Sequence, residues 1–416
     1  MRRHPARFLI LTAVTAVSAV AAAACGSGTT AVSSGAGKPV TVGISLPLTG
    51  DFSADGIACE KGFELWASDV NNSGGLLGHP VKLIIRNDNS SETTVKKDYT
   101  TLIGTDHVNF VLGPFSSLLT HAAGPTVAHY GYSFVEGSGG APSVYDLKEH
   151  NLFGVSAPVV DQMVPFANWV TSLPASQRPK TAAYPMVDDP FADPPVVTAQ
   201  AKLQNAGVQT VYSNAKNPIN PSKNLAPFAK AVATLHPDAV VLGSVDVPTV
   251  LAFIRGFQQA NYTPKILIAA SGPDQGLEFL NHVGSANATG IMVPDGWYGG
   301  FQNAESHVMV QNYIAKFGGT ASGINADVAE SYSAGQVLAD AVIATRSFDN
   351  ARIIAYLHSG VTVQSVQGPA KFNAIGENSV ADSFIFQWQS GRFLQVLPAG
   401  TGSSGILATK QPWLTG

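Results

Sequence analysis

The chain has 416 residues, 45% of them apolar and only 12% charged, with a formal net charge of −4. That composition fits a globular body with a large core, in a length suited to two or three domain-sized units rather than one. A mildly acidic balance argues against nucleic acid or an anionic bilayer as a partner surface.

In chain order, residues 1–24 come first: Arg2, Arg3 and Arg7, an apolar run from Phe8 to Val20, then four alanines. Basic start, short apolar core and small-residue exit are the parts of a cleavable export signal, so 1–24 is read as a signal peptide. Cys25 follows at once and resembles the acylated cysteine of a bacterial lipobox, with Ala22 where such motifs most often have Leu. An ordinary signal peptide before an incidental cysteine is the other reading. Losing 1–24 removes three arginines and moves the formal balance to −7. No later apolar run reaches the roughly 18 residues of a membrane span, so any anchor is the lipid. Residues 26–38, GSGTTAVSSGAGK, are too poor in bulky side chains to fold, which makes 25–38 a flexible, lipid-anchored linker. The expected location is outside the cytoplasmic membrane, tethered to its outer face. Cys59 then has no partner and is expected to be buried on a helix.

From Pro39 strand and helix signals alternate. Strands are predicted at 40–46, 81–85, 110–112 and 132–135, with helices at 57–72, around 95–103 and at 118–128. A second series follows Pro158. Its helices are 159–171, 195–206, 224–235 and 248–260, and its strands 181–187, 208–212, 239–243, 266–270 and 290–293. Helices at 304–316, 327–345 and 349–358 come next. Last is a hairpin, Phe384–Trp388 and Phe393–Leu397 about a Ser390-Gly391 turn. Strand-helix steps of roughly 25–30 residues imply α/β architecture, with parallel sheets covered on both faces. Two such blocks with late returning segments suggest two doubly wound lobes and a ligand cleft beyond the carboxyl ends of the strands.

Signatures of catalysis are missing. There is no H-E-x-x-H, C-x-x-C or G-x-x-x-x-G-K-[ST], and Gly137-Ser-Gly-Gly140 is neither a dinucleotide fingerprint nor a nucleophile elbow. No metal or cofactor is expected. Asp188, Asp189 and Asp193 are read as a strand-to-helix loop with a helix cap. Two strand ends suit binding instead: Gly113-Pro-Phe-Ser116-Ser117 opens a helix, and Gly137-Ser138-Gly139-Gly140 permits close backbone approach. Helix-start N–H groups and serine hydroxyls there would receive a carboxylate or similar anion.

The stretches VGISLPLTG (42–50), GGLLGHPV (74–81), VLGPFSS (111–117) and FQWQSG (386–391) resemble the branched-chain amino-acid substrate-binding proteins of ABC importers. The likeness spans 39–398 in order of elements. It implies a type I periplasmic binding fold: two Rossmann-like lobes joined by three hinge crossings, 39–157 plus 296–370 and 158–295 plus 371–416. It also implies site residues. Ser117 would hold a ligand carboxylate, beside Ser116, with Ser138, Gly139 and Gly140 adding bonds from the same lobe. Asp55 falls at a cleft position before the first helix, Phe191 on an aromatic wall, and Asp246 in a cleft-facing loop. Where the family has an acid for the ligand ammonium this chain has Gly272, leaving Asp55, Asp246 and Asp274 open for that role. Trp297 and Tyr298, near the second crossing, are candidate pocket aromatics.

The expected function is therefore capture of a small polar ligand, such as an amino acid, amide or small carboxylate, by hinge closure. Delivery would be to a permease and ATPase encoded separately, from a monomer. A ligand-sensing module for a membrane partner and an exported α/β hydrolase are the alternatives.

Overall fold

The structure is a computed structural model that describes residues 37–301, 303–400 and 402–414. The expected signal peptide, Cys25 and nearly all of the linker lie outside the described residues.

The first sheet is built from β1 (Val40–Leu46), α1 (Ser53–Asn72), β2 (Val81–Asn87), α2 (Glu92–Gly104), β3 (Phe110–Leu112), α3 (Ser117–His129), β4 (Phe134–Glu136), α4 (Pro142–Tyr145) and β5 (Leu152–Gly154). Its five strands are all parallel, in the order β2-β1-β3-β4-β5. The second comprises α5 (Val164–Ser172), β6 (Thr181–Tyr184), α6 (Asp193–Asn205), β7 (Gln209–Ser213), α7 (Ala226–Thr234), β8 (Ala239–Leu242), α8 (Val247–Gln259), β9 (Ile266–Ala269), α9 (Leu277–Val283), α10 (Ser285–Ala288) and β10 (Ile291–Asp295). The chain then returns to the first lobe with α11 (Ala304–Phe317), α12 (Ala326–Thr345) and α13 (Asn350–Leu357), and makes a small ribbon of β11 (Val363–Ser365) and β12 (Gly368–Ala370). A final crossing brings β13 (Phe384–Gln389) and β14 (Arg392–Leu397) antiparallel onto the second sheet, whose order is β14-β13-β10-β9-β8-β6-β7. Two parallel-sheet lobes linked by three passages of chain, near Ser156, Gly296 and after Ala370, are the expected architecture.

Alternation along the strands decides which face each residue covers. Val42, Ile44, Phe110, Leu112 and Val135 point to the layer of α1 and α12, while Val111, Phe134 and Leu152 point to that of α2 and α3. Each fully buried side chain of this size contributes roughly 1.5–3 kcal/mol. Trp66 of α1 is buried over Gly335 of α12, where any Cβ would strike the indole. That close approach fixes the late helix to the early lobe. Cys59 is free and buried in α1, and burial pushes its thiol up.

Several boundaries shift for identifiable reasons. The predicted helix 159–171 is a short 3₁₀ turn, Val159–Asp161, followed by α5, because Pro165 cannot donate inside a continuous helix. The strand read to 187 stops at Tyr184, just before Pro185. In the Asp188–Asp193 loop no acid caps α6: the cap position is Ala192, and Asp189 instead accepts the Phe191 N–H at 2.8 Å.

Candidate functional site

Both sheets aim the carboxyl ends of their strands at one cavity, as the crossover geometry of parallel sheets requires. From the first lobe come Phe115 and Ser116 after β3, Ser138 and Gly140 after β4, and Ser156 after β5. The second lobe supplies Phe191 after β6, Val245 after β8, Ser271 and Asp274 after β9, and Pro294-Asp295 at the end of β10. The first turns of α12 add Asp327 and Glu330. The cavity measures about 40 Å³, on a scale where one water needs about 10–15 Å³. The lobes are close together: Gln275 donates to buried Asp55, joining the loop after β9 to α1.

The two glycine-bearing loops differ in detail. Gly113 donates to Val135 O at 2.8 Å, and a Cβ there would collide with Glu136. Ser116, the N-cap of α3, is buried with a hydroxyl that has no partner, and it lines the cavity. Ser117 does not line it: its Oγ accepts the Ala141 N–H at 3.2 Å and secures the neighbouring loop. In that loop the Gly139 N–H is taken by the Glu136 carboxyl, so it is turned away from any ligand. Ser138 faces the cavity but donates to Glu330 at 2.5 Å, and Gly140 lines the wall while its carbonyl accepts from Val159 at 3.1 Å.

The acids are unevenly placed. Asp55 is buried behind the cavity within hydrogen-bond reach of Asp327, which in turn reaches Glu330. Burial pushes all three up, Glu330 to about 7; repulsion from Asp274 adds to each, and at Asp327 repulsion from Asp55 and Glu330 adds more. Asp274 accepts from Gly272 N at 2.6 Å and from the Ser271 hydroxyl, and burial raises it to about 6. Asp295 accepts from Gly296 N at 2.5 Å and Trp297 N at 3.1 Å through one oxygen only. Asp246 is not at the cavity; it caps α8, accepting the Thr249 N–H at 2.8 Å. Trp297 and Tyr298 are also outside it. The Trp297 indole N–H donates to Ser306 Oγ at 2.7 Å, and Tyr298 packs 5.0 Å from the Phe386 ring.

Sequence reasoning missed Asp295, Asp327, Glu330, Ser156, Ser271 and Gln162. Asp327 and Glu330 sit three apart, hence on one helix face, in a helix otherwise rich in Ala and Val. That pairing was the available signal.

Residues 39–392 match the periplasmic binding protein family. The chain belongs to that family. Its curated relatives include the Leu/Ile/Val-binding protein homolog 7 of Brucella suis biovar 1, 21% identical over 390 residues, covering 89% of this chain and 94% of that one. Among solved structures, the Streptococcus pneumoniae branched-chain amino acid transporter protein LivJ, in complex with isoleucine, superposes with a TM-score of 0.74. It is 16% identical and covers 85% of this chain and 97% of its own. An R. palustris ABC transporter solute-binding protein in complex with benzoate gives 0.73 at 18% identity, covering 91% and 98%. These likenesses establish the type I periplasmic binding fold. The family consists of extracytoplasmic binding proteins, and no helix among the described residues is long and apolar enough to cross a membrane.

Proposed function

We propose that this family member is the solute-binding component of an ABC importer, trapping a small polar solute by closure of its two lobes. Both sheets wall the cavity, and that single observation carries the proposal. A solute touching Ser116 and Glu330 on one side and Asp274 on the other is bound fully only when the lobes meet, so its differential affinity drives closure. Capture and release by closure require no covalent step. Ser116, Ser138, Gly140, Phe191 and Asp274 are proposed as solute contacts, with Asp55 supporting them through Gln275 and Asp327. Acylation of Cys25 would hold the monomer at the outer face of the membrane, within reach of a separately encoded permease and ATPase.

The test is small-angle scattering of the full chain with and without each member of a panel of amines, amino acids, amides and carboxylates. A bound solute is expected to reduce the radius of gyration. Binding that leaves it unchanged, or chemical turnover of the solute, would overturn the proposal.

A further inference from the structure

The cavity wall is unbalanced in charge. Asp274, Asp295, Asp327 and Glu330 line it, and no lysine, arginine or histidine does. Buried carboxylates must be neutralised by protons or by a bound cation. The acids differ in whether their oxygens have hydrogen-bond partners. Asp55, Asp327 and Glu330 lie in series, closed at one end by Gln275 and at the other by Ser138 and Ser156, so protons shared along the chain satisfy them.

Asp295 is different. It is only 7% exposed, and its second carboxylate oxygen has no hydrogen-bond partner. Burial, with Asp274 and Glu330 nearby, pushes this carboxyl well up, so a bound cation would take the place of a proton there. Gln162 also presents a side-chain oxygen without a donor to the same cavity. Both atoms accept while Asp295 is ionised, so an occupant must bring N–H or O–H donors. An organic anion would bring further acceptors and a like charge. A zwitterion brings N–H groups but also a carboxylate, a like charge to the four acids of the wall. Among the described residues no three His, Cys, Asp or Glu side chains are placed to hold a metal ion, which leaves an organic cation.

We infer that the ligand of this cleft is a compact organic amine of net positive charge, with a protonated nitrogen seated on Asp295 beside Asp274. This rests on the solute-binding reading above and names the substrate class for it. Asp295 ends β10, where the chain crosses back to the first lobe, so the cation sits against a hinge strand. The unpartnered Ser116 hydroxyl, at the start of α3, is left for a polar group at the other end of the ligand.

The test is calorimetry on the full chain at about pH 8 with matched pairs: ornithine against norvaline, 1,4-diaminobutane against 1,4-butanediol, and benzoate as the anion. At least one cation is expected to bind about tenfold or more tightly than its uncharged or zwitterionic match. Asp295→Asn is expected to remove that preference. Norvaline, the diol or benzoate binding as tightly as either cation would overturn the charge assignment and leave solute binding standing. Silence from every member in folded protein would overturn the charge assignment and leave the solute-binding reading to the wider panel above. The wild-type comparison decides the matter even if the variant fails to fold.

Discussion

The loops after β3 and β4 carry similar residues, glycines and serines at adjacent strand ends, yet they do opposite jobs. The first keeps a buried serine hydroxyl open toward the cavity at Ser116. The second spends its polar groups internally, with the Gly139 N–H on Glu136 and the Ser138 hydroxyl on Glu330. The difference comes from what stands behind each loop. Glu136 ends β4 and is buried, so the nearest N–H groups are drawn to it; β3 ends in Leu112 and has no such acid. A strand-end loop offers donors to a ligand only where nothing beneath it has already claimed them.

We predict the largest effect where the two loops touch. Gly113→Ala would force a methyl group into Glu136 and is expected to cost about 3 kcal/mol, read as a shift in the denaturation midpoint. Wild-type stability in that variant would mean the loops are not packed as described.

Next comes Glu136 itself. Glu136→Ala should cost about 2 kcal/mol by leaving the Gly139 N–H unpaired, while Glu136→Gln, able to accept the same bond, should cost less. Burial raises this carboxyl from 4.5 to about 8, so the folded state holds a proton that the unfolded state has released. Its contribution to stability is then full below about pH 4.5 and falls as pH rises through about 8. Denaturant midpoints across that range should decline less steeply in Glu136→Gln; an unchanged slope would show that Glu136 is ionised in the fold.

The smallest effects separate the two serines. Ser117→Ala should cost about 1 kcal/mol of stability, since the Ala141 N–H loses its acceptor, with solute affinity nearly unchanged. Ser116→Ala should leave stability nearly unchanged and weaken the bound solute about fivefold. The reverse pattern, in paired melting and binding curves, would exchange their roles.

Much of the fold was legible because it rests on period and spacing. β1, β3 and the β13–β14 hairpin fall on their predicted residues to within one or two positions, and α12 falls where the run of Ala, Val and Leu placed it. β5, β11 and β12 escaped: each has three residues and, unlike Phe110-Val-Leu112 of β3, none is an unbroken run of apolar strand formers. In the site, Phe191 and Asp274 lie at the cavity, whereas Asp246 and Trp297 are committed to a cap and to Ser306. Nothing local tells a capping aspartate from a ligand-facing one; the choice depends on which backbone N–H groups lie within reach. Asp295 was missed for a related reason. The predicted strand ended at 293, and whether the next two residues face core, solvent or cavity is set by β13 pairing alongside them.

The Trp388 indole N–H donates to the carbonyl of Pro273, 115 residues earlier, at 2.8 Å. The loop bearing Asp274 is thus completed by a side chain from the last strand pair. A chain cut after about its first 380 residues would carry every lining residue of the cavity but lack the brace behind one wall. The cavity thus leans on a strand pair that supplies none of its lining residues.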